Sequence, residues 1–429
     1  MKFSYRTFSW LYALMFPMVY AFARLFYRRW ALFGRERFPK SGEPVLIVSN
    51  HQNALIDPLL CCLTAPRQLH FLTRADVFRN KVFRYFVLAL NMLPVYRMHD
   101  HEDGKKDRNE RSFRAVIGRM QRGAAVGIFP EGNHGNRKVI RPLKKGLAQL
   151  LEMMGERDPK LRQVKVMVMG VDYDDYDRAR SSVVVNFGEP FQVDDLLFGE
   201  DGDKMERYRA VMHRVREKME ATILHLGPDR VYPYMRMAEV YLLEREGYAD
   251  WPEVHRKLSS LREKMVHDDS GVLDRAKTCS EQLVEHMLPL KAAVQYALNR
   301  KPPLVKAIVL GLPALPGFLL NAPGWQLALW ATRRAVVDPH FNSTFRLLFG
   351  MLAVLLTWAV LIPVAFSLLP AAFAAVLLGI LFVSSLIALP FSDALVDCEL
   401  LWRAEKVFKR DETVQAHIKA LISDLEKHV

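Results

Sequence analysis

The chain has 429 residues, of which 51% are hydrophobic and 25% charged, and a formal net charge of +13. This length holds one ordinary domain plus substantial further parts, and the charge calls for an anionic partner: nucleic acid, a membrane surface or a phosphorylated substrate. Cys61, Cys62, Cys279 and Cys398 show no metal-site spacing, and adjacent Cys61 and Cys62 are poorly placed to pair, so reduced thiols in a cytoplasm-facing protein are expected.

Phe8 to Ala23 is apolar and aromatic, is interrupted by Pro17, and leads into Arg24, Arg28 and Arg29 among Leu25, Phe26, Tyr27 and Trp30. Residues 1–40 therefore read as N-terminal membrane-associated helices on an anionic leaflet. Ala21-Phe22-Ala23 keeps a signal peptide open as the other reading.

From Glu43 the pattern changes. Residues 44–50, 69–73, 92–97, 124–129, 164–170 and 182–187 are short apolar runs, with helical patterns over 57–65, 76–90, 109–122 and 143–155. Strands alternating with helices predict an α/β domain over 41–200, a largely parallel sheet flanked by helices. Ligands in such sheets gather beyond strand carboxyl ends, where His51, Arg74, Arg97 and Glu131 fall.

Residues 201–300 read as a helical region. Ala307 to Thr332 is uncharged but holds Gly311, Pro313, Pro316, Gly317, Pro323 and Gly324, which argues against a straight helix. An interfacial or re-entrant segment over 301–345, anchored by Trp325 and Trp330, is expected; an apolar loop packed on the next element fits equally. Leu347 to Ser392 carries no charged side chain. A crossing helix needs about 20 apolar residues, so 346–392 reads as a two-helix transmembrane hairpin turning at Pro370, the alternative being a buried helix pair. Arg333, Arg334 and Arg346 precede it, and Arg403, Lys406, Lys409 and Arg410 follow, which places both ends in the cytoplasm. Residues 393–429 read as one amphipathic helix.

Asn50-His51-Gln52-Asn53-Ala54-Leu55-Ile56-Asp57-Pro58 carries a histidine leaving a strand, with an acid six positions on. Imidazole takes a proton near neutral pH, and a carboxylate fixes its tautomer. Six residues along one helix set side chains about 120° apart, so the pair meets only if His51 sits in the turn before the helix. Alone, His51 reads as readily as a helix cap. Phe129-Pro130-Glu131-Gly132, followed by Asn133-His134-Gly135-Asn136-Arg137-Lys138, is a strand end whose amides and cations suit phosphate, or a solvated loop. Leu93-Pro94-Val95-Tyr96-Arg97 delivers an arginine, a bidentate phosphate partner.

Together these blocks resemble the glycerolipid acyltransferase family, which contains glycerol-3-phosphate and 1-acylglycerol-3-phosphate acyltransferases. The resemblance covers about residues 40–195, ending at Gly188-Glu189-Pro190-Phe191. Five residues separate His51 from Asp57 where the family usually has four. That spacing, with Arg137 and Pro142-Leu143-Lys144-Lys145-Gly146, is similar to the fungal-type glycerol-3-phosphate acyltransferases. The usual Thr-Arg after the third block is Asn133-His134, and the fourth-block proline is replaced in Met169-Gly170-Val171. The resemblance implies acyl transfer from an acyl-CoA or acyl carrier protein (acyl-ACP) thioester to a glycerol-phosphate acceptor. In it His51 is the general base, Asp57 orients His51, and Arg97, Glu131, Gly132, Arg137 and, more weakly, Arg74 bind substrate. It implies no metal and no further cofactor, and the bilayer as partner. Another lysolipid acceptor, or a non-catalytic lipid-binding protein, are the competing readings. No nucleic-acid motif is present.

Overall fold

The computed structural model describes residues 8–74, 78, 84, 87–88, 90–95, 105–199 and 203–429. It divides into two compact units, Met1–Leu224 and His225–Val429.

The first unit holds a mixed, mostly parallel seven-stranded sheet. Its strands are β1 (Arg29–Phe33), β2 (Val45–Val48), β3 (Leu69–Arg74), β4 (Met92–Val95), β5 (Ala125–Ile128), β6 (Lys165–Tyr173) and β7 (Ser182–Phe187). Their order is β1-β7-β6-β2-β5-β3-β4, and among the described residues only β6 and β7 pair as antiparallel strands. All four β2 residues are fully buried, as expected for a central parallel strand covered on both faces. Leu46 and Val48 join Val126, Val166 and Val168 in one core cluster. Over that face lie α3 (Lys105–Met120), α4 (Gly146–Arg157) and α5 (Lys204–Glu220), while α2 (Ile56–Thr64) packs on β3, β6 and β7. Each such buried aliphatic contributes about 1.5–3 kcal/mol, so β2 is held firmly at the position from which His51 emerges.

Two boundaries in the first unit differ from expectation. The N-terminal 40 residues are not helical throughout: α1 (Trp10–Phe26) ends at Tyr27, and Arg29–Phe33 is the edge strand β1, parallel to β7. Tyr27 and Phe26 are buried, and the Arg28 amide opens the strand pairing by donating to the Ser181 carbonyl at 2.8 Å. The helical region does not begin at 201 either. Tyr208, Val211, Val215 and Met219 form a buried stripe at helical spacing, so α5 completes the α/β core.

The second unit is helical: α6 (Tyr232–Arg245), α7 (Trp251–Met265), α8 (Val272–Glu285), α9 (Leu290–Ala297), α10 (Leu304–Ala335), α11 (Asn342–Leu368), α12 (Ala371–Arg410) and α13 (Glu412–His428). Three of these, α10, α11 with its preceding turn, and α12, are long and apolar enough to cross a membrane. The turn between α11 and α12 falls at Leu369-Pro370. Residues 393–429 are not one helix: α12 runs on to Arg410, and extended Asp411 starts α13 by accepting from the Thr413 amide. Val414, Ile418, Leu421 and Leu425 bury one stripe of α13. That helix packs on α6, α8 and α9, with Tyr234 donating to Asp424 at 2.8 Å and His417 bonded to Gln282 at 2.8 Å.

The expected break within 307–332 is absent, because α10 is one helix through Pro313, Pro316 and Pro323. A neighbouring helix supplies part of what the broken backbone ladder lacks. Ser384 Oγ of α12 accepts from the Gly317 amide and donates to the Pro313 carbonyl, both at 2.7 Å. A side chain thus bridges one rung of the i→i−4 ladder. Asn321 donates to the Gly317 carbonyl and to Ser385 Oγ. A Cβ at Gly317 would lie 2.2 Å from the Ser385 nitrogen, so glycine is what allows the two helices to close in.

Candidate active site

β2 lies between β5 and β6, all three parallel, so their carboxyl ends share one edge. His51 follows β2, Phe129 and Glu131 follow β5, and Tyr173 ends β6. Strand order therefore assembles what the sequence spreads over more than 120 positions.

His51 sits in the turn before α2, as contact with Asp57 requires. Its Nδ1 is 2.9 Å from Asp57 Oδ2. The same oxygen accepts the Gln52 and Asn53 amides, each at 2.7 Å, and Oδ1 accepts the Tyr173 hydroxyl at 2.6 Å. The Asp57 side chain is 1% exposed and that of His51 14%. A buried carboxylate is costly unless its oxygens are hydrogen-bonded, and four donors meet this one. Asp57 also lies in the first turn of α2, where the helix dipole favours an anion. The carboxylate accepts from Nδ1–H, which fixes the tautomer and leaves Nε2 as the basic nitrogen. Among the described residues Nε2 has no hydrogen-bond partner.

Stacking sets the ring plane. Phe129 lies 4.1 Å from His51, centroid to centroid, at 13°, and Phe71 of β3 stacks behind Phe129 at 5.3 Å. Gly127 makes room for this ladder, since a Cβ there would sit 2.4 Å from the Phe71 ring.

The loop after β5 closes over the dyad. Buried Glu131 accepts the His51 amide at 3.3 Å and the Arg141 amide at 3.0 Å, and its carboxylate also pairs with the Arg141 guanidinium. Arg141 donates further to the His51 and Asn133 carbonyls. Gly132 has φ +76°, a turn glycine suits. His51, Gln52, Glu131, Arg137, Lys138 and Arg141, among others, line one small pocket. Gln52 Nε2 donates to the Arg137 carbonyl at 3.3 Å, and the His134 ring meets His51 edge-on at 5.6 Å.

The structure thus brings His51, Asp57, Glu131, Gly132 and Arg137 together. Arg74 ends β3, where only its backbone is described, and Arg97 lies outside the described residues. Tyr173 and Arg141 were not picked out from the sequence. Both stand in polar or cationic stretches, and only the topology shows that they face Asp57 and Glu131.

Residues 31–171 match the Acyltransferase family model. For this domain, that match and the relatives that follow support the glycerolipid acyltransferase family. The chain is similar to Glycerol-3-phosphate O-acyltransferase 2 of Saccharomyces cerevisiae, 24% identical over 237 residues, 50% of this chain and 31% of that protein. Glycerol-3-phosphate O-acyltransferase 1 of the same yeast is 22% identical over 59% of this chain and 35% of its own length. The 1-acyl-sn-glycerol-3-phosphate acyltransferase BAT2 of Brassica napus is 28% identical over 26% and 30%. The chain spans about a third of the length of the curated relatives it matches. The crystal structure of the acyltransferase PlsC from Thermotoga maritima overlays 49% of this chain and 78% of that one, at 18% identity and a TM-score of 0.36.

Proposed function

We propose that the protein transfers a fatty acyl chain from an acyl thioester, acyl-CoA or acyl-ACP, to a hydroxyl of glycerol-3-phosphate or 1-acylglycerol-3-phosphate. The observation that carries this is a hydrogen-bonded His51–Asp57 dyad beside a pocket lined by Arg137, Lys138 and Arg141. Nε2 of His51 takes the proton of the acceptor hydroxyl while that oxygen attacks the thioester carbonyl; the C–S bond then breaks and the imidazolium gives the proton to the departing thiolate, which leaves as the thiol. Arg137, with Arg97 and Arg74, binds the acceptor phosphate. Glu131 is already committed to Arg141 and the His51 amide, and a carboxylate repels phosphate, so it positions the loop. The thioester is the only co-substrate this chemistry needs.

The test offers glycerol-3-phosphate, 1-acylglycerol-3-phosphate and a lysophospholipid together, with acyl-CoA and acyl-ACP in turn, to the purified full chain and weighs the products. An added acyl group on either of the first two acceptors supports the reading. Transfer only to a lysolipid without a free glycerol phosphate, or no transfer, overturns it. Arg137→Ala raises the KM of the acceptor about tenfold or more, the loss of one charge-assisted hydrogen bond. The KM of the donor stays within about twofold, and equal changes in both would remove the phosphate role.

We infer the membrane arrangement from parity. Because α13 packs on α6, α8 and α9, the chain before α10 and the chain after α12 lie on one side, so an even number of the three apolar helices crosses. We assign the crossings to α11 and α12, leave α10 entering the bilayer without spanning it, and place the dyad on the cytoplasmic side with both flanks. In sealed vesicles, single cysteines at Ser270→Cys and Val429→Cys should react with an impermeant maleimide from one side and Ala371→Cys from the other. Labelling of the first two from opposite sides would contradict it.

A further inference from the structure

Tyr173 lies outside the motifs that drew attention to the site, yet its hydroxyl makes one of the shortest contacts there, 2.6 Å to Asp57 Oδ1. It is 2% exposed, at the carboxyl end of β6, and 116 positions from Asp57. Tyr27, buried as well, packs its ring behind it at 6.1 Å. Burial, then the adjacent Asp57 charge, holds the Tyr173 hydroxyl well above its ordinary pKa, so it stays protonated and acts as a donor. Asp57 Oδ2 is saturated by two amides and His51; Oδ1 has Tyr173.

We propose that Tyr173 is a positioning residue for acyl transfer: its hydrogen bond to Oδ1 orients the Asp57 carboxylate and sets how that carboxylate shares its charge with the His51 imidazole. This rests on the general-base reading above. A hydrogen bond from a neutral phenol spreads the carboxylate charge toward Oδ1. Without it the charge concentrates on Oδ2, facing Nδ1, and the dyad binds its proton more tightly, whichever of the two groups holds it. The other groups facing the pair are Cys61 from α2, Tyr27 behind Tyr173, and Glu131, His134, Arg137, Lys138 and Arg141 from the loop after β5. All of them remain in Tyr173→Phe, which removes one oxygen and keeps the ring packing.

The experiment has two readouts on the purified full chain. One follows carbethoxylation of His51 by diethyl pyrocarbonate against pH, read on the His51 peptide by mass spectrometry, and needs no turnover. In Tyr173→Phe its midpoint moves to higher pH by about one unit, the equivalent of about 1.4 kcal/mol. The other is the rate profile: the acidic limb of kcat/KM moves up by the same amount and kcat falls about tenfold. In an Asp57→Asn background, Tyr173→Phe leaves the carbethoxylation midpoint where it was, because the carboxylate charge through which Tyr173 acts is gone. An unmoved carbethoxylation midpoint in the single variant overturns the proposal, even where kcat falls, since a purely structural tyrosine would cost activity without moving the titration. A moved midpoint in a protein that shows no acyl transfer sustains the Tyr173–Asp57–His51 coupling and overturns the functional reading instead.

Discussion

Replacing His51 with alanine lowers kcat for acyl transfer by about 10²–10⁴-fold, the range a positioned general base supplies. The protein itself should persist. The His51 side chain is a partly exposed group stacked on Phe129, and its backbone amide and carbonyl, which bond Glu131, Gly135 and Arg141, survive the substitution. The variant leaves Asp57 with two amides and Tyr173, so the buried charge stays solvated. The KM of the acceptor changes little, because the cations that bind its phosphate are other residues. Rate measurements on membranes with matched amounts of protein check this, and wild-type turnover by His51→Ala would remove the base from the mechanism.

Asp57→Asn is the second large effect, and its size distinguishes two ways a carboxylate can serve histidine. In a Ser-His-Asp triad the same change flips the tautomer and costs about 10⁴-fold. Here the oxygen position facing His51 also faces the Gln52 and Asn53 amides at 2.7 Å. An Asn NH2 placed there would oppose two N–H donors, so the amide oxygen occupies it and Nδ1–H keeps its acceptor. Tyr173 then turns its hydroxyl to accept from the amide nitrogen. The tautomer survives and only the charge that stabilises the imidazolium is lost. A hydrogen bond to a charged group is worth about 1.5–3 kcal/mol, so kcat falls about 10²-fold rather than 10⁴-fold. Steady-state rates decide between these magnitudes, and an unchanged rate would contradict the role of Asp57.

What was legible in the sequence was mostly what is local. His51 and Asp57 lie in one turn, and the strand-end placement of Glu131 follows from apolar runs ending in polar residues. The largely parallel sheet followed from alternating periodicities. What escaped depends on distant chain. Tyr173 reaches Asp57 because β6 pairs with β2, and no spacing rule announces that. Arg141 reaches Glu131 because the loop folds back across Gly135, where a Cβ would sit 2.2 Å from the guanidinium. Arg29 to Phe33 read as part of an interfacial helix because arginines among aromatics suit a leaflet, whereas β7 offers that segment a strand partner. In α10, local proline rules called for a break, and Ser384, some 70 positions away, supplies the bonds that carry the helix past Pro313.

The most direct test of the central claim is acceptor-dependent thiol release by the purified full chain in lipid nanodiscs supplied with a long-chain acyl thioester. Adding glycerol-3-phosphate or its 1-acyl derivative should start stoichiometric release of the thiol and formation of the acylated acceptor. Absence of acceptor-dependent release with both compounds and both donor types, from protein whose His51 still reacts with diethyl pyrocarbonate, would contradict it.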